Sequence, residues 1–246
     1  RAPRHTMAAV TTTTAFQDEL RRALPRAGGA RGLLLLPALA LLGTLIPARL
    51  GTAFLDPIYH VFYTALAVLF GGSFAAQGFG GERERQFLIN WTGGDAPVVL
   101  GKLLAATLWG WLCWLLIYGA SLARIDTAGG AMTLPVFTVF GAGVLAAGAA
   151  WLSAAAGALL ALSTQSVVTA RQLLRLGFFF ILLLVVIVPR LFPADVQASL
   201  RALLSWNSAG HTMTIAGAGA ALLGLHLYRR ALRLLTEQRT GLSITS

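Results

Sequence analysis

The sequence predicts an all-α, polytopic membrane protein: a six-helix transmembrane bundle preceded by an N-terminal amphipathic interfacial helix. Three observations carry this expectation. Of the 246 residues, 57% are hydrophobic and only 11% charged, with a mean hydropathy of +0.73, whereas a soluble domain carries about 25% charged residues. The apolar residues fall into runs long enough for spans of about 20 residues, and six such spans would use roughly half the chain. Between the runs lie arginines, more of them on alternate connections than on the others.

Thr14 and Gln17 have capping-box spacing at the start of the first helix, in which Phe16, Leu20 and Leu24 recur every fourth residue while Asp18, Glu19, Arg21 and Arg22 fall on other faces. Such a helix suits a membrane surface, with an ordinary cytoplasmic helix as the alternative. It belongs to an N-terminal cytoplasmic segment, 1–31. The transmembrane domain follows at 32–229 and a cytoplasmic basic tail at 230–246. No cleavable signal peptide is expected, because the first apolar run starts at Leu33 and belongs to the bundle.

Span one covers Leu33 to about Ala48, contains Pro37 and is flanked by Arg31 and Arg49. Span two runs from about Pro57 to Gly78, and the charged Glu82-Arg83-Glu84-Arg85 follows. Span three extends from near Val98 to Leu122, with Asp95 as its N-cap and Pro97 in its first turn. Span four, from about Leu134 to Leu162, exceeds a straight crossing and implies tilt or an extension. Span five covers about Leu176 to Val188 and is expected to stop at Pro189-Arg190. The outer segment at about 190–207 is less apolar but keeps Val196, Leu200, Leu203 and Leu204 at helical spacing. Span six runs from about His211 to Tyr228, before Arg229, Arg230, Arg233 and Arg239.

Fifteen of the nineteen lysines and arginines fall on the N-terminal segment, the connections after spans two and four, and the tail. Only Arg49, Arg124, Arg190 and Arg201 fall on the other side. The positive-inside rule then puts both termini in the cytoplasm, and an even number of spans agrees. The same interspersed distribution argues against nucleic acid as the reason for a net charge of +10.

Two stripes of small residues recur every fourth position: Ala149, Ser153, Gly157 and Ala161 in span four, and Ala216, Ala220 and Gly224 in span six. In lipid such stripes allow close backbone approach, within one chain or across a dimer. The one cysteine, Cys113, has no partner for a disulfide within the chain and suits a small core or lipid-facing position.

Signatures of catalysis are missing, including His-Glu-x-x-His, Gly-x-Ser-x-Gly and Cys-x-x-Cys. The stretch Gly94 to Lys102 imitates a phosphate loop, but six residues separate its glycines and Leu103 follows the lysine. A phosphate loop has four, then Ser or Thr. His60 and His211 are expected near the outer face, as interfacial polar residues or as ligands of haem or metal. The proposed spans are nearly free of ionisable side chains, which disfavours an ion-coupled channel or carrier. A non-transporting subunit of a larger membrane complex stays open.

The most informative segment joins spans two and three. Charges at Glu82, Arg83, Glu84 and Arg85 precede a short helix with Phe87, Leu88 and Trp91, then Gly93-Gly94, Asp95-Ala96-Pro97 and Gly101-Lys102. Exposed aromatic and aliphatic residues on a short helix suit the groove of a partner, and a position at the headgroup boundary is the alternative.

With this segment, its Glu-Arg-Glu motif, its polar-Pro turn and its Gly-Lys pair, the chain resembles the permeases of type-2 ABC exporters over nearly its whole length. The stretch Asn90-Trp91-Thr92-Gly93-Gly94 departs from their common pattern. The resemblance implies a coupling helix at about 82–97, in which Glu82, Arg83, Glu84, Arg85, Phe87, Leu88 and Trp91 meet a separate cytoplasmic ATPase subunit. It also implies a second permease copy or paralogue, surrounding membrane lipid and an outer re-entrant helix pair at Pro193 to Trp206. This chain would hold no cofactor, because ATP and magnesium would bind the partner. The location implied is the bacterial inner membrane. The haem-exporter B-type permeases of cytochrome c maturation have similar length and span count and are a second, narrower resemblance.

Overall fold

The structure is a computed structural model, and it describes residues 12–26, 38, 41, 57–81, 95–127, 136–164, 166–203 and 209–243. Every element among them is a helix: α1 (Thr12–Arg26), α2 (Pro57–Gly80), α3 (Asp95–Thr127), α4 (Val136–Ser163), α5 (Val167–Leu191), α6 (Ala194–Leu203) and α7 (Ala209–Ser243). Span one, apart from residues 38 and 41, and the seven coupling residues Glu82, Arg83, Glu84, Arg85, Phe87, Leu88 and Trp91 lie outside the described residues. Among the described residues two stretches, Asp95–Ala123 and Val136–Ser163, are long and apolar enough to cross a membrane.

Local chemistry accounts for the helix boundaries. Pro57 opens α2 where its missing N–H costs nothing, and Gly80-Gly81 closes it. Pro97 occupies the first turn of α3 as the sequence suggests, and Asp95, expected as the N-cap, is the first residue of the helix. Between α4 and α5 the chain turns tightly: Thr164 folds its N–H and its hydroxyl back on the Leu160 carbonyl, at 2.9 and 2.7 Å. Pro193 stands between α5 and α6, and the Gln197 amide side chain donates to the Phe192 carbonyl at 2.8 Å.

Two boundaries differ from expectation. Helix α5 begins nine residues before the expected span five and continues through Pro189 to Leu191. A proline near a helix C-terminus removes only one intrahelical bond, so it need not stop the helix. The basic tail continues the last helix, since α7 runs unbroken to Ser243. Its 35 residues correspond to about 52 Å, beyond the roughly 30 Å of a bilayer core.

Helix α4 is the hub, packed against α2, α3, α5 and α7. It reaches its neighbours through residues without side-chain bulk. A Cβ on Gly148 would collide with the Gly217 carbonyl of α7, and one on Gly157 with the Gly72 carbonyl of α2. The expected stripe on α4 is therefore intramolecular: Ser153, Gly157 and Ala161 are buried, Ala149 is half-buried, and Ser153 donates to the Val68 carbonyl at 2.5 Å. On α7 the stripe differs from expectation. Ala216 is exposed, and the approach uses Gly210, Gly217 and Gly224 at seven-residue spacing. Seven residues make nearly two full turns, which keeps one face on a parallel neighbour.

The core has two parts. One gathers Phe74, Phe79, Val99, Leu103, Ala158 and Leu235, and the other Tyr63, Cys113, Trp114, Tyr118, Ala146 and Met213. Cys113 is thus a core residue. The two parts mark the two ends of the bundle, called here the Lys102 end and the His60 end.

Candidate functional site: the Lys102 junction

Lys102 sits in the second turn of α3, within the apolar run Val98 to Leu104, and its side chain is only 5% exposed. A lone ammonium so buried would be costly unless paired and hydrogen-bonded. Three partners surround it. Nζ forms an ion pair with Glu19 of α1, whose side chain is 4% exposed. It also donates to the Gly78 carbonyl near the end of α2 at 3.1 Å, and lies 5.8 Å from the centre of the Phe79 ring. One cation thereby ties α1, α2 and α3 together.

Gly101 makes the approach of α1 possible. A Cβ there would lie 2.7 Å from the Ala15 Cβ and 2.8 Å from the Thr12 carbonyl oxygen. The adjacent pair Gly101-Lys102 thus supplies a backbone socket and a buried charge to the same helix. Here the sequence reading is corrected. Glu19, assigned to a polar face of α1, is buried, and the buried face of α1 is Ala15 and Glu19 with Phe16 and Leu20 half-buried beside them. Lys102, counted as a loop residue, is a core residue.

The same end collects other terminal segments. Thr236 of α7 donates to the Asp95 carboxylate at 3.4 Å, and Gln238 donates to the Leu162 carbonyl of α4 at 2.9 Å. Gly80 approaches Ala161 and Val167. The connection between Gly81 and Asp95 therefore leaves α2 beside α5 and enters α3 beside the extension of α7. Both of its anchors belong to the block tied by Lys102.

At the His60 end a second polar group is buried between α2 and α3. His60 Nδ1 and the Tyr118 hydroxyl are 3.2 Å apart, and Tyr63 donates to Ser121 at 2.9 Å. Ser121 in turn donates to the Ile117 carbonyl at 2.7 Å. Tyr63 meets Tyr118 edge-on at 5.7 Å, and Trp114 stacks on Tyr118 at 4.7 Å. His211 is exposed instead and packs against Phe137 of α4 at 4.3 Å. The two histidines thus serve different helix pairs, and among the described residues no three His, Cys, Asp or Glu side chains cluster as metal ligands.

Sequence reasoning did not find Glu19, Tyr63, Tyr118 or Ser121. For Glu19 a signal was present: Lys102 stands inside an apolar helix start, which demands a carboxylate from elsewhere. No family model, curated protein or solved structure matches this chain.

Proposed function

We propose that the chain is the transmembrane permease subunit of an ATP-driven ABC exporter of the bacterial inner membrane. In this reading α2, α3, α4, α5 and α7 are five of six spans, and both termini face the cytoplasm. The subunit works as a dimer with two separate ATPase subunits, which alone bind and hydrolyse ATP. Glu82, Arg83, Glu84, Arg85, Phe87, Leu88 and Trp91 contact the ATPase, and α1 lies at the membrane surface.

One observation carries the proposal: the connection 82–94 departs from and returns to a block in which Lys102 joins α1, α2 and α3. A push on this connection moves several helices together, as a coupling element requires. The arginine distribution supports placing this end in the cytoplasm.

The test is co-purification with a nucleotide-binding subunit encoded beside the chain, together with transport in vesicles. Charge reversal at Glu82 and Glu84, or Trp91→Ala, is expected to weaken ATPase-subunit binding and abolish export while leaving the fold intact. A chain that never co-purifies with such a subunit, or variants equal to the parent, would refute the reading.

A further inference from the structure

We propose that the cleft between α2, α4 and α5 binds one membrane phospholipid with an anionic headgroup, an acyl chain in the cleft and the phosphate on Arg171 and Arg175. This goes beyond the exporter reading and requires only that these helices lie in a bilayer.

The chain-binding part is a cavity of about 350 Å³ lined by Thr64, Val68, Leu152, Ser153, Leu174 and Phe178, among others. Among the described residues no ionisable side chain lines it. Its two hydroxyls are already committed, Thr64 to the His60 carbonyl at 2.8 Å and Ser153 to the Val68 carbonyl at 2.5 Å. What remains is hydrocarbon and aromatic surface. Apolar cavities of this kind exclude water and accept apolar guests, and leaving them empty is destabilising. Gly177 lines the cavity, and a Cβ there would meet nothing within 4 Å. The surrounding face of α5 is apolar and exposed at Leu173, Leu176, Phe180 and Ile181. The guest therefore comes from the bilayer side.

The headgroup part is on the same strip of α5. Arg171 precedes Leu174 by three residues and Phe178 by seven, which places all three on one face. From Arg171 to Ile181, at the far end of the cavity lining, the helix rises about 15 Å. Arg171 is half-buried, and its Nε is buried without a hydrogen bond. Among the described residues neither Arg171 nor Arg175 has a carboxylate within ion-pair distance. Burial and the like charge of Arg175 one turn further on both oppose an uncompensated cation at Arg171, and a bound anion relieves both. Basic pockets between helices on the cytoplasmic side are suited to anionic headgroups.

The experiment measures lipid binding to the purified full-length chain in detergent by native mass spectrometry, with phosphatidylglycerol, phosphatidylcholine of the same chains, and chainless glycerol 3-phosphate. Phosphatidylglycerol is expected to bind preferentially and glycerol 3-phosphate not at all. Each arginine near a headgroup contributes about fivefold, so R171Q/R175Q is expected to lose about 25-fold for phosphatidylglycerol and little for phosphatidylcholine. Gly177→Phe fills the cavity and is expected to weaken both lipids. Equal binding of the two lipids, a preference that survives R171Q/R175Q, lipid binding unaffected by Gly177→Phe, or glycerol 3-phosphate binding as tightly as the lipid would each overturn the proposal.

Discussion

Removing Lys102 should release α1 from the bundle. In Lys102→Met the Glu19 carboxylate loses its cation in a site where its side chain is only 4% exposed. Breaking a buried pair from one side costs about 3–5 kcal/mol, most of it the uncompensated charge. Glu19→Gln should cost less, because Lys102 keeps the Gly78 carbonyl and the face of Phe79. Since α1 packs chiefly on α3, the penalty falls on its docking and not on the α4–α7 core. At 1.4 kcal/mol per tenfold, 3–5 kcal/mol corresponds to roughly 100- to 3000-fold faster amide exchange in α1. Hydrogen exchange read by mass spectrometry measures this helix by helix. The double change Lys102→Met with Glu19→Leu should recover most of the protection, since an apolar pair of similar volume replaces a buried ion pair at little cost. Unchanged α1 exchange in both single variants, or a double variant as exposed as the sum of the singles, would refute the reasoning.

Four further outcomes rest on the glycine contacts and the buried hydrogen bonds. Gly148→Leu should drive α4 from α7, because its Cβ already collides with the Gly217 carbonyl; a loss of about 1–3 kcal/mol or more is expected from such overpacking. Gly119→Leu, where a Cβ meets nothing within 4 Å, should unfold like the parent in the same thermal assay. Tyr118→Phe strips His60 Nδ1 of its Tyr118 hydroxyl contact and should cost about 1–3 kcal/mol. Tyr63→Phe should cost less, about 0.5–1.5 kcal/mol, because Ser121 keeps its bond to the Ile117 carbonyl. Unfolding of both variants in detergent checks the order.

The parts legible in the sequence are those set by near neighbours in the chain. Asp95 and Pro97 mark the start of α3 because a first-turn carboxylate and a missing proline N–H both act within one turn. Ala149, Ser153, Gly157 and Ala161 share one inward face, because a four-residue period fixes a face whatever lies opposite. What lies opposite is not local. Glu19 and Lys102 are 83 residues apart, and His60 and Tyr118 are 58 apart. Phe16 and Leu20 define an apolar strip on α1, yet Gly101 admits the helix by its Ala15 and Glu19 side. A hydrophobic period ranks faces by transfer energy alone, and it misses a carboxylate drawn inward by a buried cation. On α7 only Gly224 of the four-residue stripe makes the close approach, because the parallel partner α4 selects a seven-residue repeat.

These features divide the molecule mechanically. Helices α2, α3, α4 and α7 approach one another where side chains are absent or small, so their backbones are in contact and cannot slide without collision. The Lys102 pair fastens α1 to that block. Helix α5 is built differently: it touches α2 and α4 over a limited area, leaves a 350 Å³ cavity behind it, and turns Leu176, Phe179 and Phe180 outward. Packed interfaces are bistable and resist continuous deformation, so in the exporter reading a force applied at the connection 82–94 would displace the block as a unit. Relative motion is then concentrated where packing is thinnest, along α5. In the exporter reading that is the place for access to change sides, and the occupant of the cavity behind α5 would set how easily it moves.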